Sequence, residues 1–233
     1  MSSPCGHAYR LGCRRDRPQV GDPEPGSCWH CPSSNLRLGC GSIGAVPTHV
    51  ALLRGINVGA RNRVAMADLR EVVTSLGHTD VATYIQSGNV VFTSTEADTT
   101  ALAADLERAI AKALTVRPRV VVLSRNELAQ VIADNPYPDE TNPKCLHAAF
   151  RSEELAPGEA AAIAAALQQV REKGSRDEVQ VIGRTLYLRT PDGLGRSELA
   201  ARLGRPGGAL ASLASATMRN WTTVGKLLAL CDT

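Results

Sequence analysis

The sequence predicts an α+β protein whose chain folds as two similar halves in tandem and ends in a helix. From residue 48 onward, apolar runs with the two-residue period of a strand alternate with apolar faces of helical period. The alternation starts again after a proline-rich stretch at 134–144, which we interpret as a linker. The 233 residues are 43% hydrophobic and 21% charged, a composition that excludes a collagen-like, coiled-coil or wholly disordered chain.

The first half shows the order β-α-β-β-α-β, which is typical of a ferredoxin-like plait. Its predicted elements are a strand at 49–53, a helix at 66–76 that ends at Gly77, hairpin strands at 81–86 and 89–94, a helix at 102–114 and a strand at 119–123. Ser87 and Gly88 predict a tight turn between the hairpin strands. Ser124 and Glu127 fit a capping box, so a further helix is expected to begin there and to stop before Pro136.

The second half repeats the beginning of this order, β-α-β-β-α, which indicates an internal duplication of topology. Its predicted elements are a strand at 146–151, an alanine-rich helix with Ile163, Leu167 and Val170 on one face, strands at 178–182 and 185–189, and helices at 197–203 and 221–230. We therefore predict two ferredoxin-like α/β plait subdomains, at 47–134 and 145–233, the second of which closes with C-terminal helices.

Residues 1–46 differ in composition from the rest, because they hold five of the seven cysteines and show no strand or helix period. We interpret them as a disordered or non-native N-terminal extension; a natural translation start near Val46 is a further hypothesis. Cys28 and Cys31 form a C-x-x-C pair, but structural zinc usually needs two such pairs, so no metal is predicted. A zinc site remains the alternative, with further ligands from Cys5, His7, Cys13 and Cys40. The segment lacks the apolar stretch of a secretory signal, so a cytoplasmic location is expected.

Four loop motifs carry the candidate functional residues. They are LLRGINVG at 52–59, YIQSGNVVF at 84–92, PDGLGRS at 191–197 and TMRNWTTVGKLL at 217–228, the last of which is expected to form the final helix. Glycine-permitted backbone in the first loop would let its N–H groups approach an anion, and the neighbouring arginines would add charge. The candidate ligand-binding residues are Arg54, Asn57, Gly59, Arg61, Arg63, Gln86, Ser87, Asn89, Arg196, Arg219, Asn220 and Lys226. The alternative is that these residues only form turns and helix caps, with Ser197 and Asn220 as caps.

Together, these motifs resemble an uncharacterised bacterial family, domain-of-unknown-function family sixteen ninety-seven. The resemblance runs from about residue 48 to residue 230 and rests on four motifs in order. It implies a pair of α/β plait-like subdomains in a cytoplasmic bacterial protein, and it implies no established activity.

The motifs favour binding over catalysis. The sequence contains no phosphate-binding P-loop, dinucleotide fingerprint, zinc-protease motif or nucleophile elbow, so neither a cofactor nor a catalytic residue is predicted. The first hypothesis is a non-catalytic binding protein for an anionic ligand, either a nucleotide or a single-stranded nucleic acid. Residues 47–233 carry 21 Lys and Arg against 20 Asp and Glu, which argues against strong non-specific binding of nucleic acid.

Two other hypotheses stay open. One is a small-molecule enzyme with a site between the two subdomains, where ligand pockets are common. The other is a protein-interaction module that uses a sheet edge or the segment 204–216. No membrane partner is expected, because the chain has no apolar run of about 18 residues.

Overall fold

The computed structural model describes residues 47–59, 62–205 and 215–233, which form two four-stranded antiparallel sheets and six α-helices. The elements are, in order, β1 (His49–Arg54), α1 (Met66–Ser75), β2 (Thr79–Tyr84), β3 (Asn89–Thr93), α2 (Thr99–Ala113), β4 (Arg119–Ser124), α3 (Arg125–Ala133), β5 (Leu146–Phe150), α4 (Glu159–Arg171), β6 (Glu178–Ile182), β7 (Thr185–Arg189), α5 (Glu198–Leu203), β8 (Thr217–Asn220) and α6 (Trp221–Leu230). The predicted α+β class is confirmed.

The two sheets have the same strand order. The first is β2-β3-β1-β4 and the second is β6-β7-β5-β8. In each half, a helix follows the first, third and fourth strands. The duplication expected from the element pattern is therefore present in the strand order as well. The predicted capping box also forms, with Ser124 Oγ accepting from the Glu127 backbone N–H at 3.1 Å.

Two predicted elements were wrong. The final motif is not helical throughout, because Thr217–Asn220 forms β8 and pairs with β5. This strand has four residues and no alternation of polar and apolar side chains, so periodicity could not reveal it. The hairpin turn between β2 and β3 has four residues rather than two: Tyr84 pairs with Asn89, and Ile85 leaves the strand with φ 51°.

Three apolar clusters hold these layers together. One face of the first sheet packs against α1 and α2, and one face of the second packs against α4 and α5. The opposite faces of both sheets share a third cluster with α3 and α6, which we call the central cluster. Its buried members are Val50, Leu52, Val91, Val121, Leu123, Leu128, Val131, Ala148, Phe150, Tyr187, Val224, Leu227 and Cys231. Each sheet is thus covered on both faces.

The expectations for the N-terminal extension and its zinc alternative fall on residues 1–46, which lie outside the described residues. Within the described ranges, no group of three or more His, Cys, Asp or Glu side chains could hold a metal ion. No helix in those ranges is long and apolar enough to cross a membrane. Cys231 is buried, whereas Cys145 is only half-buried.

Candidate functional site

Three of the motif segments meet where β1 ends. They are the loop at 54–64, the turn at 85–88 and strand β8 from the second half, and we call them together the loop cluster. The Leu53 N–H donates to Gly88 O at 2.8 Å, which joins the end of β1 to the turn. Gly88 has φ +77°, and a side chain there would lie 2.8 Å from Leu53 Cβ and Ile56 Cδ1. Only glycine therefore lets the turn lie this close to the first loop.

Asn57 shapes the first loop and connects it to the turn. Its Nδ2 donates to Val64 O at 3.0 Å and to Gln86 O at 2.9 Å, while its Oδ1 accepts from the Val64 N–H at 2.8 Å. Its backbone is left-handed, with φ 54°, a conformation that asparagine tolerates better than most residues. The side chain of Asn57 is thus occupied by backbone groups, and its role in this structure is to hold the loop.

Asn89 lies beneath the turn and is fully buried, with 0% of its surface exposed. Its Nδ2 donates to Tyr84 O and to Ser87 Oγ, both at 3.0 Å. Its Oδ1 accepts from Arg219 Nε. Because both ends of the amide are bonded, Asn89 links Arg219 to the turn.

Arg219 extends from β8 across to the first half. Its Nη2 donates to Leu53 O at 2.8 Å, Ser87 O at 2.9 Å and Gly88 O at 3.2 Å, and its Nη1 donates to Met218 O at 2.9 Å. Burial lowers the pKa of this guanidinium to about 10, so it stays protonated at neutral pH. Its hydrogen-bond acceptors are carbonyl groups and none of them is an anion.

Arg54 extends in the opposite direction. It is the last residue of β1, and its Nη1 donates to the carbonyl of Ala216, immediately before β8. The two arginines therefore cross between the halves, each bonded to backbone of the other half. Neither one forms an ion pair with a carboxylate of residues 47–59, 62–205 or 215–233.

The outer surface of the loop cluster combines exposed polar residues with exposed apolar ones. Arg63, Gln86 and Ser87 are exposed to solvent. Val58 and Ile85 are 70% and 51% exposed. Val58 directly follows Asn57 and Ile85 directly precedes Gln86, the two residues that are hydrogen-bonded to each other. Ile85 also has a left-handed backbone, φ 51°, which is unfavourable for a β-branched side chain.

The remaining predicted site residues have other positions or roles. Gly59 has φ +62° and forms part of the first loop, whereas Arg61 lies outside the described residues. Asn220 caps α6, with its Oδ1 accepting from the Thr223 N–H at 2.8 Å. Lys226 is exposed on α6 and Arg196 is exposed in the turn before α5, and neither has a hydrogen bond to the loop cluster within the described part of the chain.

Charge is unevenly distributed along the sequence around this site. The segments 54–64, 85–88 and 217–220 contain four of the 21 Lys and Arg of residues 47–233 and none of the 20 Asp and Glu. The four are Arg54, Arg61, Arg63 and Arg219. The segments also contain no His or Cys. The loop cluster is therefore cationic and lacks a side chain suited to general acid or base chemistry near neutral pH.

Sequence reasoning missed the backbone groups that organise the site. The carbonyls of Leu53, Ser87, Gly88 and Ala216 receive the two arginines, and no motif reports on carbonyl positions. It also missed Val58 and Ile85, whose exposure follows from the loop conformation. The left-handed backbone at Ile85 had no signal in the sequence, since the residue type predicts a strand.

Comparisons with known proteins agree with this architecture. The structure of the conserved bacterial protein SP0830 from Streptococcus pneumoniae is similar, with a TM-score of 0.60 and 22% sequence identity over 79% of this chain and 98% of that one. No curated protein gives a significant match. The model of the family described as "Protein of unknown function (DUF1697)" matches residues 46–187. This range includes the first loop and the turn, although β8 lies beyond it. Because the match spans more than half of the chain, the chain belongs to this family.

Proposed function

We propose that this protein binds phosphate-bearing anions, nucleotides or single-stranded nucleic acid, on the loop cluster. The supporting observation is the segregation of charge: four cationic side chains and no carboxylate in the three segments that form the site. Such a surface concentrates anions, because fields from like charges add where no opposite charge screens them. A cytoplasmic setting, where these ligands are abundant, is part of the proposal.

The side chains divide the work between them. Arg63 is exposed and is available to bind a phosphate directly. Arg54 and Arg219 contribute charge from partly buried positions, where their donors already bond to carbonyls. Their positive charge is not neutralised by these neutral acceptors, so it extends to the surface of the loops.

We further propose that each half is a ferredoxin-like plait, which the strand orders β2-β3-β1-β4 and β6-β7-β5-β8 support. Plaits that bind RNA usually stack bases on aromatic side chains of an open sheet. Here both faces of each sheet are covered, and Phe92 and Tyr187 are 0% and 1% exposed. A nucleic acid would therefore bind at the loops and not on the sheets.

The test is a fluorescence polarisation titration of a short labelled single-stranded RNA, and separately of a labelled nucleoside triphosphate, with the full chain at two salt concentrations. We expect binding that weakens with salt. Arg63→Ala should reduce the slope of log Kd against log salt for RNA by about 0.7, the value for one lost phosphate contact on a single strand. Arg171 is likewise an exposed arginine, but it is the last residue of α4 in the second half, so Arg171→Ala should leave the slope unchanged. Absence of binding by both probes at low salt would refute the proposal.

A protein-interaction module is the second candidate, favoured by the exposure of Val58 and Ile85. Exposed apolar side chains on an ordered loop are common at interfaces with other proteins. Val58→Ser with Ile85→Ser would abolish such an interaction while leaving the cationic side chains in place. By contrast, an acid–base enzyme at this site is not favoured, because the three segments contain no His, Asp, Glu or Cys.

A further inference from the structure

We infer that Arg219 is a positioning residue, which reaches from the second half to set the backbone of the loop cluster in the first half. The effect of Arg219 on ligand binding rests on the proposed function, since the loops that it positions are the proposed binding surface. Its structural part can be tested without any ligand.

The donor count of Arg219 argues against a direct role in binding. A guanidinium has five N–H groups. Nε is bonded to Asn89 Oδ1, both hydrogens of Nη2 face the carbonyls of Leu53, Ser87 and Gly88, and one hydrogen of Nη1 faces Met218 O. At most one N–H is left for a ligand, so Arg219 cannot form the two parallel bonds with which arginine usually holds a phosphate.

The arrangement of its acceptors explains what Arg219 does instead. Three carbonyl oxygens, from the end of β1 and from the turn, converge on one Nη2 atom. Carbonyl dipoles that point at one place repel each other unless a cation lies between them. Arg219 is that cation, and Asn89, which it also holds, bonds to the Ser87 side chain and to Tyr84 O. Removing the guanidinium would leave the buried Asn89 Oδ1 without its partner and allow the turn to separate from β1.

The position of the turn then determines the first loop. Gly88 contacts Ile56 closely, and Gln86 O accepts from Asn57 Nδ2 at 2.9 Å. Asn57 in turn bonds to the Val64 N–H. A chain of contacts therefore runs from β8 through the turn to the far end of the loop that carries Arg63.

The experiment is amide hydrogen exchange by NMR on the full chain and on Arg219→Lys. Lysine keeps the charge, but a single ammonium cannot span Asn89, Leu53 and Met218 together. We expect the amides of Asn57 and Val64, which bond within the loop, to exchange about tenfold faster. The amides of Leu106 and Ile110 in α2 should be unchanged, which a general loss of stability would not produce. Arg189→Lys is the matched control, because Arg189 lies on β7 of the same sheet and bonds to Glu140 at 2.8 Å, away from the loops.

Unchanged exchange at Asn57 and Val64 in folded Arg219→Lys would overturn the inference. If this variant fails to fold, the wild-type chain provides the second measurement. Hydrogen exchange should then give the same opening free energy for the Nε–H of Arg219 and for the Asn57 amide. An Nε–H that is much less protected from exchange than this amide would overturn the inference. For the binding consequence, Kd for the labelled RNA should rise about tenfold in Arg219→Lys. If wild type binds neither the RNA nor the triphosphate, the proposed function fails while the exchange result still decides the role of Arg219.

Discussion

Gly88→Ala tests whether the close approach of the turn to the first loop holds the site together. Two costs add at this position. Gly88 has φ +77°, and an L-residue in left-handed backbone costs about 1–2 kcal/mol. The new methyl group would also lie 2.8 Å from both Leu53 Cβ and Ile56 Cδ1. Overpacking of this kind costs about 1–3 kcal/mol, so we expect a total loss of stability of about 2–5 kcal/mol.

Gly55→Ala separates the two costs. Gly55 has nearly the same backbone, φ +73°, and a side chain there would meet nothing within 4 Å. It should therefore cost only the conformational part, about 1–2 kcal/mol. The assay is equilibrium urea unfolding monitored by circular dichroism. The two variants are compared when their m-values, the slopes of unfolding free energy against urea concentration, are equal. Equal destabilisation by Gly88→Ala and Gly55→Ala would refute the steric argument. It would also contradict the conclusion that the turn packs closely against Ile56.

Three further predictions concern buried polar groups. Arg151→Ala should cost about 3–5 kcal/mol in urea unfolding, because it removes the guanidinium that lies 3.1 Å from the buried carboxylate of Glu159; a cost below 1 kcal/mol would contradict this. Tyr187→Phe should cost about 1 kcal/mol, since the hydroxyl donates to Val131 O at 2.9 Å across the two halves, and burial raises its pKa to about 12. Burial lowers the pKa of His147, so the unfolded chain binds more protons and stability should fall as pH drops below about 6.5. His147→Gln should reduce the difference between urea midpoints at pH 7.5 and 5.0, and an unchanged difference would contradict the assignment.

Much of the fold could be predicted because it is encoded in local patterns. The bounds of β6, β7 and α6 agree with the structure to the residue, since apolar periodicity and turn glycines are strong there. β8 could not be predicted from Thr217–Asn220, because its strand character comes from pairing with β5 and from the crossing of Arg219. Non-local pairing of this kind leaves no signal in four residues.

The segments of the candidate site could be predicted from the sequence, but the roles of their individual residues could not. The sequence grouped the first loop, the turn and the last motif as one candidate site, and in the structure Asn57 bonds to Gln86 of the turn and Arg219 bonds to Asn89. It could not separate residues that hold the loops from residues that face solvent. Asn89 and Gln86 are three positions apart in one motif, yet the first is fully buried and the second is exposed. That distinction depends on the left-handed turn, which only the folded chain reveals.

The central cluster gives the molecule a property that a pair of identical subunits would lack. It is built like the contact between two protomers, but its two sides belong to one chain, joined through residues 134–145. In a homodimer, every change in a loop occurs twice, because one gene encodes both copies. Here the two halves can diverge. The segment 55–65 after β1 contains two arginines and no acid, whereas the segment after β5 carries the exposed Glu153 and Glu154. A scaffold with repeated topology thus presents a cationic end on one half and an acidic one on the other, and internal duplication is what makes this asymmetry available to selection.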